Sequence, residues 1–163
     1  MKLLVVAVGR LKADYARLGC ADFFQRAGRL LPVEVVEVRD AQRGKGGKGG
    51  KGGDAERWKA EEAANIRAAL PPNCTVVALD ERGRTWTSRD FAGWLETQQV
   101  RAVPAVAFVI GGPDGLDPAL RDQADRVWAL GPGTMAHELA RLVLAEQLYR
   151  AASILAGTPY HRD

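Results

Sequence analysis

AVAFVIGGPDGLDPALRDQADRVWALGPGTMAHELARLVLAEQLYRAASIL, residues 105–155, is the stretch that decides the fold. Its first six residues are apolar and stop abruptly at Gly111-Gly112-Pro113-Asp114-Gly115. That is the pattern of a strand covered on both faces whose carboxyl end opens into a loop. A second apolar piece, residues 127–130, breaks into Gly131-Pro132-Gly133-Thr134. Both breaks feed helices, so they can line one crevice at the carboxyl edge of a parallel sheet, where open α/β folds bind ligands.

Working outward, residues 3–8 before Gly9, 33–38 and 75–79 read as further strands, the last ending at Asp80 with residues 80–83 as a turn. Helical spacing covers residues 13–30, with Tyr15, Leu18, Phe23, Ala27 and Leu30 as core candidates. It returns over residues 55–70, with Trp58, Ala63, Ile66 and Leu70 on one side and Pro71-Pro72-Asn73 as the stop. Thr87 or Ser88 can cap a helix carrying Phe91, Trp94 and Leu95, and Pro104 opens the strand at 105. The last helix, residues 136–156, has Leu139, Leu142, Val143, Leu148, Ala152 and Leu155 as its expected core stripe. Leu144, Ala151 and Ile154 widen that stripe, which suits either burial on two sides or contact with a second copy of the chain. Glu146 and Arg150 are spaced for an i,i+4 ion pair. Strands alternating with helices predict an α/β fold, a mostly parallel sheet with helices on both faces, formed by a single domain over residues 1–163.

Composition narrows the function classes. At 163 residues and 47% hydrophobic, the chain can bury one ordinary core. No leader pattern or spanning apolar run is present, which predicts a soluble cytoplasmic protein with no membrane partner. Cys20 and Cys74 lack metal-ligand spacing, so they read as small core residues and no metal site is expected. Residues 1–60 carry thirteen Lys and Arg against seven Asp and Glu, and residues 61–163 ten against thirteen. A basic amino-terminal portion suits a polyanion.

Gly9-Arg10-Leu11-Lys12 lacks the repeated glycines of a dinucleotide fingerprint, which disfavours a nucleotide-dependent oxidoreductase. The repeat at 44–53, GKGGKGGKGG, is not a phosphate-binding P-loop, because Gly46, Gly49 and Gly52 stand where Ser or Thr would follow the lysine. It reads as a solvated loop, either a plain linker or a cationic arm for RNA phosphates.

Several pieces taken together resemble a known family. These are Leu79-Asp80, residues 110–116, residues 128–134, His137, residues 146–151 and the closing Pro159-Tyr160-His161-Arg162. They are similar to the RlmH family of SPOUT-class methyltransferases, and the similarity runs nearly end to end. The Gly-Lys repeat and Gly131-Pro132-Gly133 are where this chain departs from the family's usual sequence.

The resemblance implies methyl transfer from S-adenosylmethionine to N3 of a pseudouridine in 23S ribosomal RNA of the assembled ribosome, by a homodimer with a carboxyl-terminal trefoil knot. It assigns the cofactor to Leu79, Gly111, Leu130, Gly131, Pro132, Gly133, Thr134 and Met135. His137, Tyr160, His161 and Arg162 become candidates for RNA positioning or proton handling, and Arg141 and Arg150 for meeting phosphate or the partner subunit. Glycine main chain suits a cofactor because nothing beyond Cα keeps the ligand away. The competing reading is a non-catalytic α/β module that binds RNA or a nucleotide. If the repeat is an RNA arm, changing Lys45, Lys48 and Lys51 together to alanine will weaken ribosome binding and flatten its dependence on salt, as counterion release requires. Binding isotherms at several salt concentrations check this; superimposable curves would exclude the arm.

Overall fold

The computed structural model describes residues 1–43 and 52–162, so most of the Gly-Lys repeat lies outside the described residues. The elements are β1 (Lys2–Val8), α1 (Asp14–Gly28), β2 (Val33–Val38), α2 (Gly52–Ala69), β3 (Thr75–Arg84), α3 (Ser88–Val100), β4 (Ala105–Ile110), α4 (Pro118–Gln123), β5 (Arg126–Trp128) and α5 (His137–Ala156). The five strands form one sheet in the order β2-β1-β4-β3-β5, and every pairing is parallel. The α/β architecture with helices on both faces is the one expected.

Alternation along the strands builds two cores. Leu3, Val5, Val106 and Phe108 face one side, where Phe91 and Leu95 of α3 and Leu144 and Leu148 of α5 cover them. Leu4, Val6, Ala107 and Val109 face the other, beneath Ala63 and Ile66 of α2 and Leu120 of α4. On the first face Phe91 lies 4.4 Å from Trp128, and Trp86 lies 5.3 Å from Trp128, between ring centroids. These rings pin β5, only three residues long, to α3. Thr87 and Asp90 close a reciprocal capping box that starts α3.

Three expectations are corrected. Residues 80–83 do not turn: β3 continues to Arg84, with a bulge between Leu79 and Arg84 against Trp128 of β5. Asp80 accepts from the Arg82 amide at 2.9 Å inside the bulge, and the Ala129 amide donates to the Arg84 carbonyl at 3.0 Å where pairing resumes. Tyr15 and Leu18 are not core residues, being 56% and 64% exposed. α1 turns its small residues Ala16, Cys20 and Ala27 inward instead, because it lies close against α5, with Leu142 pressed onto Gly19. The inner face of α5 is also rotated from the expected stripe. Arg141, Leu144, Ala145, Leu148, Ala151 and Ala152 are buried, while Leu139 is exposed.

Arg141 is the other surprise. It is 1% exposed, so it is not available to phosphate. Its guanidinium donates to Glu37 of β2 at 2.6 Å and to the Gly9 carbonyl at 2.8 Å, tying α5 to the carboxyl ends of β1 and β2. Cys20 and Cys74 are free thiols, and burial pushes Cys20 up to about 11. Among the described residues no helix is long and apolar enough to cross a membrane, and no His, Cys, Asp and Glu group could hold a metal ion.

α1 has no side-chain cap of its own; Glu138 of α5 accepts from the Lys12 and Ala13 amides at its start. Those two backbone bonds hold the Glu138 carboxyl below its ordinary range. Glu138→Ala should cost about 1 kcal/mol, as loss of a helix cap does. Because the folded-state value is the lower one, this contribution is full above the unfolded carboxyl range and disappears as pH falls through the folded value. Thermal unfolding of both proteins from neutral to acid pH checks this, the two melting temperatures converging in acid.

Candidate functional site

A parallel sheet brings the carboxyl ends of its strands to one edge, so the segments after β3, β4 and β5 meet. A cavity of about 520 Å³ opens between them. Leu79, Gly111, Leu130, Gly131, Gly133, Thr134 and Met135 line it, and so does His137 at the start of α5. Both glycine breaks therefore border one space. Pro132 is exposed and outside the lining.

The loop after β4 is narrow because the chain turns back on itself within a few residues. A Cβ on Gly111 would lie 2.6 Å from the Gly115 carbonyl carbon and 2.8 Å from the Leu116 nitrogen. The Gly115 amide donates to the Gly112 carbonyl at 3.0 Å and closes the turn. Asp114 then pairs with Arg43 at 2.5 Å, fastening the loop to the segment after β2. On the opposite wall Thr134 donates its hydroxyl to Glu81. Asp80 sits 3.4 Å from Arg82 and 4.0 Å from Arg121, its side chain 7% exposed. A turn expected at residues 80–83 hides Asp80 and Glu81 as wall residues, and β3 running on to Arg84 is what brings them to the cavity. Charged residues directly after a buried strand of a parallel sheet are the signal that could have found them.

His137 is half-buried, and burial lowers its pKa; Glu138 opposes the effect, while Arg141, Lys12 and Arg43 add to it. Its ring is thus neutral at neutral pH and able to accept a proton or a hydrogen bond at the cavity.

Tyr160, His161 and Arg162 do not line this cavity. The tail returns along α5 and is fixed at Glu146, which lies roughly 13 Å along the helix axis from His137. The Tyr160 hydroxyl donates to Glu146 at 3.0 Å, and Arg150 donates to the same carboxylate. This is the i,i+4 pair anticipated from spacing, and it leaves Arg150 engaged with Glu146 and the tail. Arg150 Nη1 lies 3.3 Å from His161 Nδ1. Arg26 covers Tyr149 at 4.3 Å, and Tyr149 and Tyr160 rings are 4.5 Å apart. Burial and then the bond to Glu146 raise the Tyr160 pKa, so the phenol stays protonated. Arg162 is exposed.

The single chain thus carries two groups of functional candidates: a cavity with backbone-lined walls, and an ordered tail with cationic and aromatic groups beside it. Gly111→Ala should cost about 1–3 kcal/mol, because the methyl must displace main chain rather than a flexible side chain. Chemical denaturation measures this; unchanged stability would mean that the loop opens freely.

Residues 1–161 match the family model described as "Predicted SPOUT methyltransferase". The chain is 50% identical over 159 residues to "Ribosomal RNA large subunit methyltransferase H" of Solidesulfovibrio magneticus, covering 98% of this chain and 97% of that one. It is 44% identical over 163 residues to the protein of the same name from Allorhizobium ampelinum, covering 100% of both. A crystal structure described as a "Probable Methyltransferase from Bordetella pertussis Tohama I" shares the fold with a TM-score of 0.55 at 16% identity, over 93% of this chain and 96% of that one. The full-length match and the two glycine loops bordering one cavity say the same thing: this chain belongs to the RlmH family of SPOUT methyltransferases.

Proposed function

We propose that the protein methylates N3 of a pseudouridine in 23S ribosomal RNA of the assembled ribosome, taking the methyl group from S-adenosylmethionine and working in the cytoplasm as a homodimer. The observation that carries this reading is the convergence of both glycine breaks on one cavity, in a chain half identical to a relative named for ribosomal RNA methylation.

The residues present fit the donor. A cavity of about 520 Å³ is in the range of small-molecule sites. The space beside Gly131 and Gly133 where a Cβ would stand is open, so a ligand can approach the main chain there. Leu79, Gly111, Leu130, Gly131, Gly133, Thr134 and Met135 would hold it, with Pro132 shaping the loop from outside. Glu81, which accepts from Thr134, puts a carboxylate on the wall, while Asp80 and Asp114 are engaged by Arg82, Arg121 and Arg43. When bound, S-adenosylmethionine supplies an electrophilic methyl group on a sulfonium and the driving force for transfer.

The protein's own task is alignment, exclusion of water and handling of the proton that leaves N3. His137, neutral and on the cavity wall, is suited to accept a proton or to hold the base. Tyr160, His161 and Arg162 suit RNA positioning, with Glu146 and Arg150 orienting the first two. Within one chain the tail and cavity are separate, and a dimer offers a way to complete the site, one subunit's tail meeting the other's cavity. Tyr15, Leu18 and Leu139, left exposed on α1 and α5, are the apolar surface available for that pairing. The trefoil path implied by the family would tie the loops around the cavity together.

Mass spectrometry of ribosomal RNA from cells lacking the protein tests the function. The expected result is one pseudouridine without its methyl group, restored when the gene is returned. Fully methylated RNA in those cells would end the proposal.

A further inference from the structure

α2 carries one residue that its role as a cover for the sheet does not explain. Glu62 is 2% exposed and sits beside Ala63 and Ile66 on the helix's inner, apolar face. A buried carboxylate is costly unless its oxygens have partners, and an apolar residue of the same size would pack as well. Burial raises its pKa, partly countered by the Ala41 amide and then by Arg43.

The partners lie in two loops. Glu62 Oε1 accepts from the Ala41 amide at 3.2 Å, in the segment that follows β2. The same carboxylate lies against the glycine loop after β4. A Cβ built on Gly112 would stand 3.0 Å from Oε2, 3.2 Å from Oε1 and 3.2 Å from Val8 Cγ1. Two residues on, Asp114 of that loop pairs with Arg43, and Arg43 lies 5.2 Å over the Trp58 ring of α2. Helix α2, residues 41–43 and residues 112–114 are therefore joined behind the cavity wall, and Glu62 touches both loops. Glu62 does not itself line the cavity.

We propose that Glu62 is a positioning residue for the methyl-donor site: its carboxylate, held by the Ala41 amide, packs against the side of Gly112 where a Cβ would stand and sets the shape of the turn that walls the cavity. This rests on the reading of the cavity as the donor site. Glycine at 112 gives the carboxylate its room, because a methyl group there would stand 3.0 Å from Glu62 Oε2 and the carboxylate would have to shift by a few tenths of an ångström. Glu62→Gln keeps the shape and the acceptor for Ala41, whereas Glu62→Ala removes both.

Two measurements on the intact protein test the proposal. The first is hydrogen exchange of the loop amides, residues 111–116, without ligand. The second is calorimetric titration with S-adenosylmethionine. Glu62→Ala should speed exchange in the loop and weaken donor binding about tenfold, the effect of one lost hydrogen bond and its packing. Glu62→Gln should stay within about twofold of the parent protein in both. Gly112→Ala should weaken binding as well, and in the protein carrying both Gly112→Ala and Glu62→Ala the two losses should not multiply, since Glu62→Ala removes the carboxylate that the new methyl at 112 crowds.

A lower melting temperature for Glu62→Ala with unchanged loop exchange and unchanged affinity would assign Glu62 to stability alone and overturn the proposal. Losses that multiply in the double variant would overturn it too. If Glu62→Ala does not fold, Glu62→Asp, which draws the carboxylate back by a methylene, replaces it with the same expectations. A parent protein that binds no S-adenosylmethionine would sink the donor-site reading, while loop exchange would still decide whether Glu62 sets the turn.

Discussion

Parallel pairing on both edges of β4 is the constraint on which the rest of the molecule depends. β4 is buried along its whole length and pairs with β1 on one edge and β3 on the other. Parallel neighbours leave no room for tight hairpins, so each connection must cross over through a helix, and all carboxyl ends open on one edge. The loop after β4 therefore meets the segments after β3 and β5, and the cavity exists because of that meeting.

Helix α5 holds this edge in place with charged side chains as well as apolar packing. Arg141 reaches β1 and β2 from inside the core, although its Nε has no hydrogen-bond partner among the described residues. Burying a guanidinium in this way adds little net stability, while breaking such a buried pair is costly. Glu138, three residues earlier, supplies the missing cap of α1, and Glu146 gathers the carboxyl-terminal tail. One helix thus sets the position of His137 at the cavity and of Tyr160 away from it. The same principle recurs on the other face, where Glu62 of α2 joins two loops. In both helices the polar residue on the inner face marks a connection between loops or strands.

Much of the fold and part of the candidate site could be read in advance. Strands at 3–8, 33–38, 75–79 and 105–110 are short apolar or β-branched runs bounded by Gly, Pro and Asp, and they occur as read, with the third extended to Arg84. Gly111, Gly131, Gly133 and Thr134 could be named because glycine-rich breaks after buried strands are visible in one dimension, whereas His137 is reached through the family resemblance. Asp80 and Glu81 were hidden by a bulge, whose alternation of charged residues looks like a turn until the partner strand β5 is known. Arg141 looked like a surface cation, since an arginine in a helix gives no local sign that its guanidinium will find carbonyls.

Local chemistry therefore determined the order of strands and helices, the two loops that could bind a ligand and the Glu146–Arg150 pair, because each depends on residues adjacent in the chain or one helical turn apart; the parallel sheet follows from that order through the crossover rule. Tertiary structure alone decided which face of α1 and α5 is inside, that Glu138 caps a helix more than a hundred residues earlier, and that the tail stops short of its own chain's cavity. Tyr15 and Leu18 show the physical reason. An apolar side chain favours burial wherever it is found, but close approach of two helices requires small residues between them, and which helix arrives there depends on the whole path of the chain.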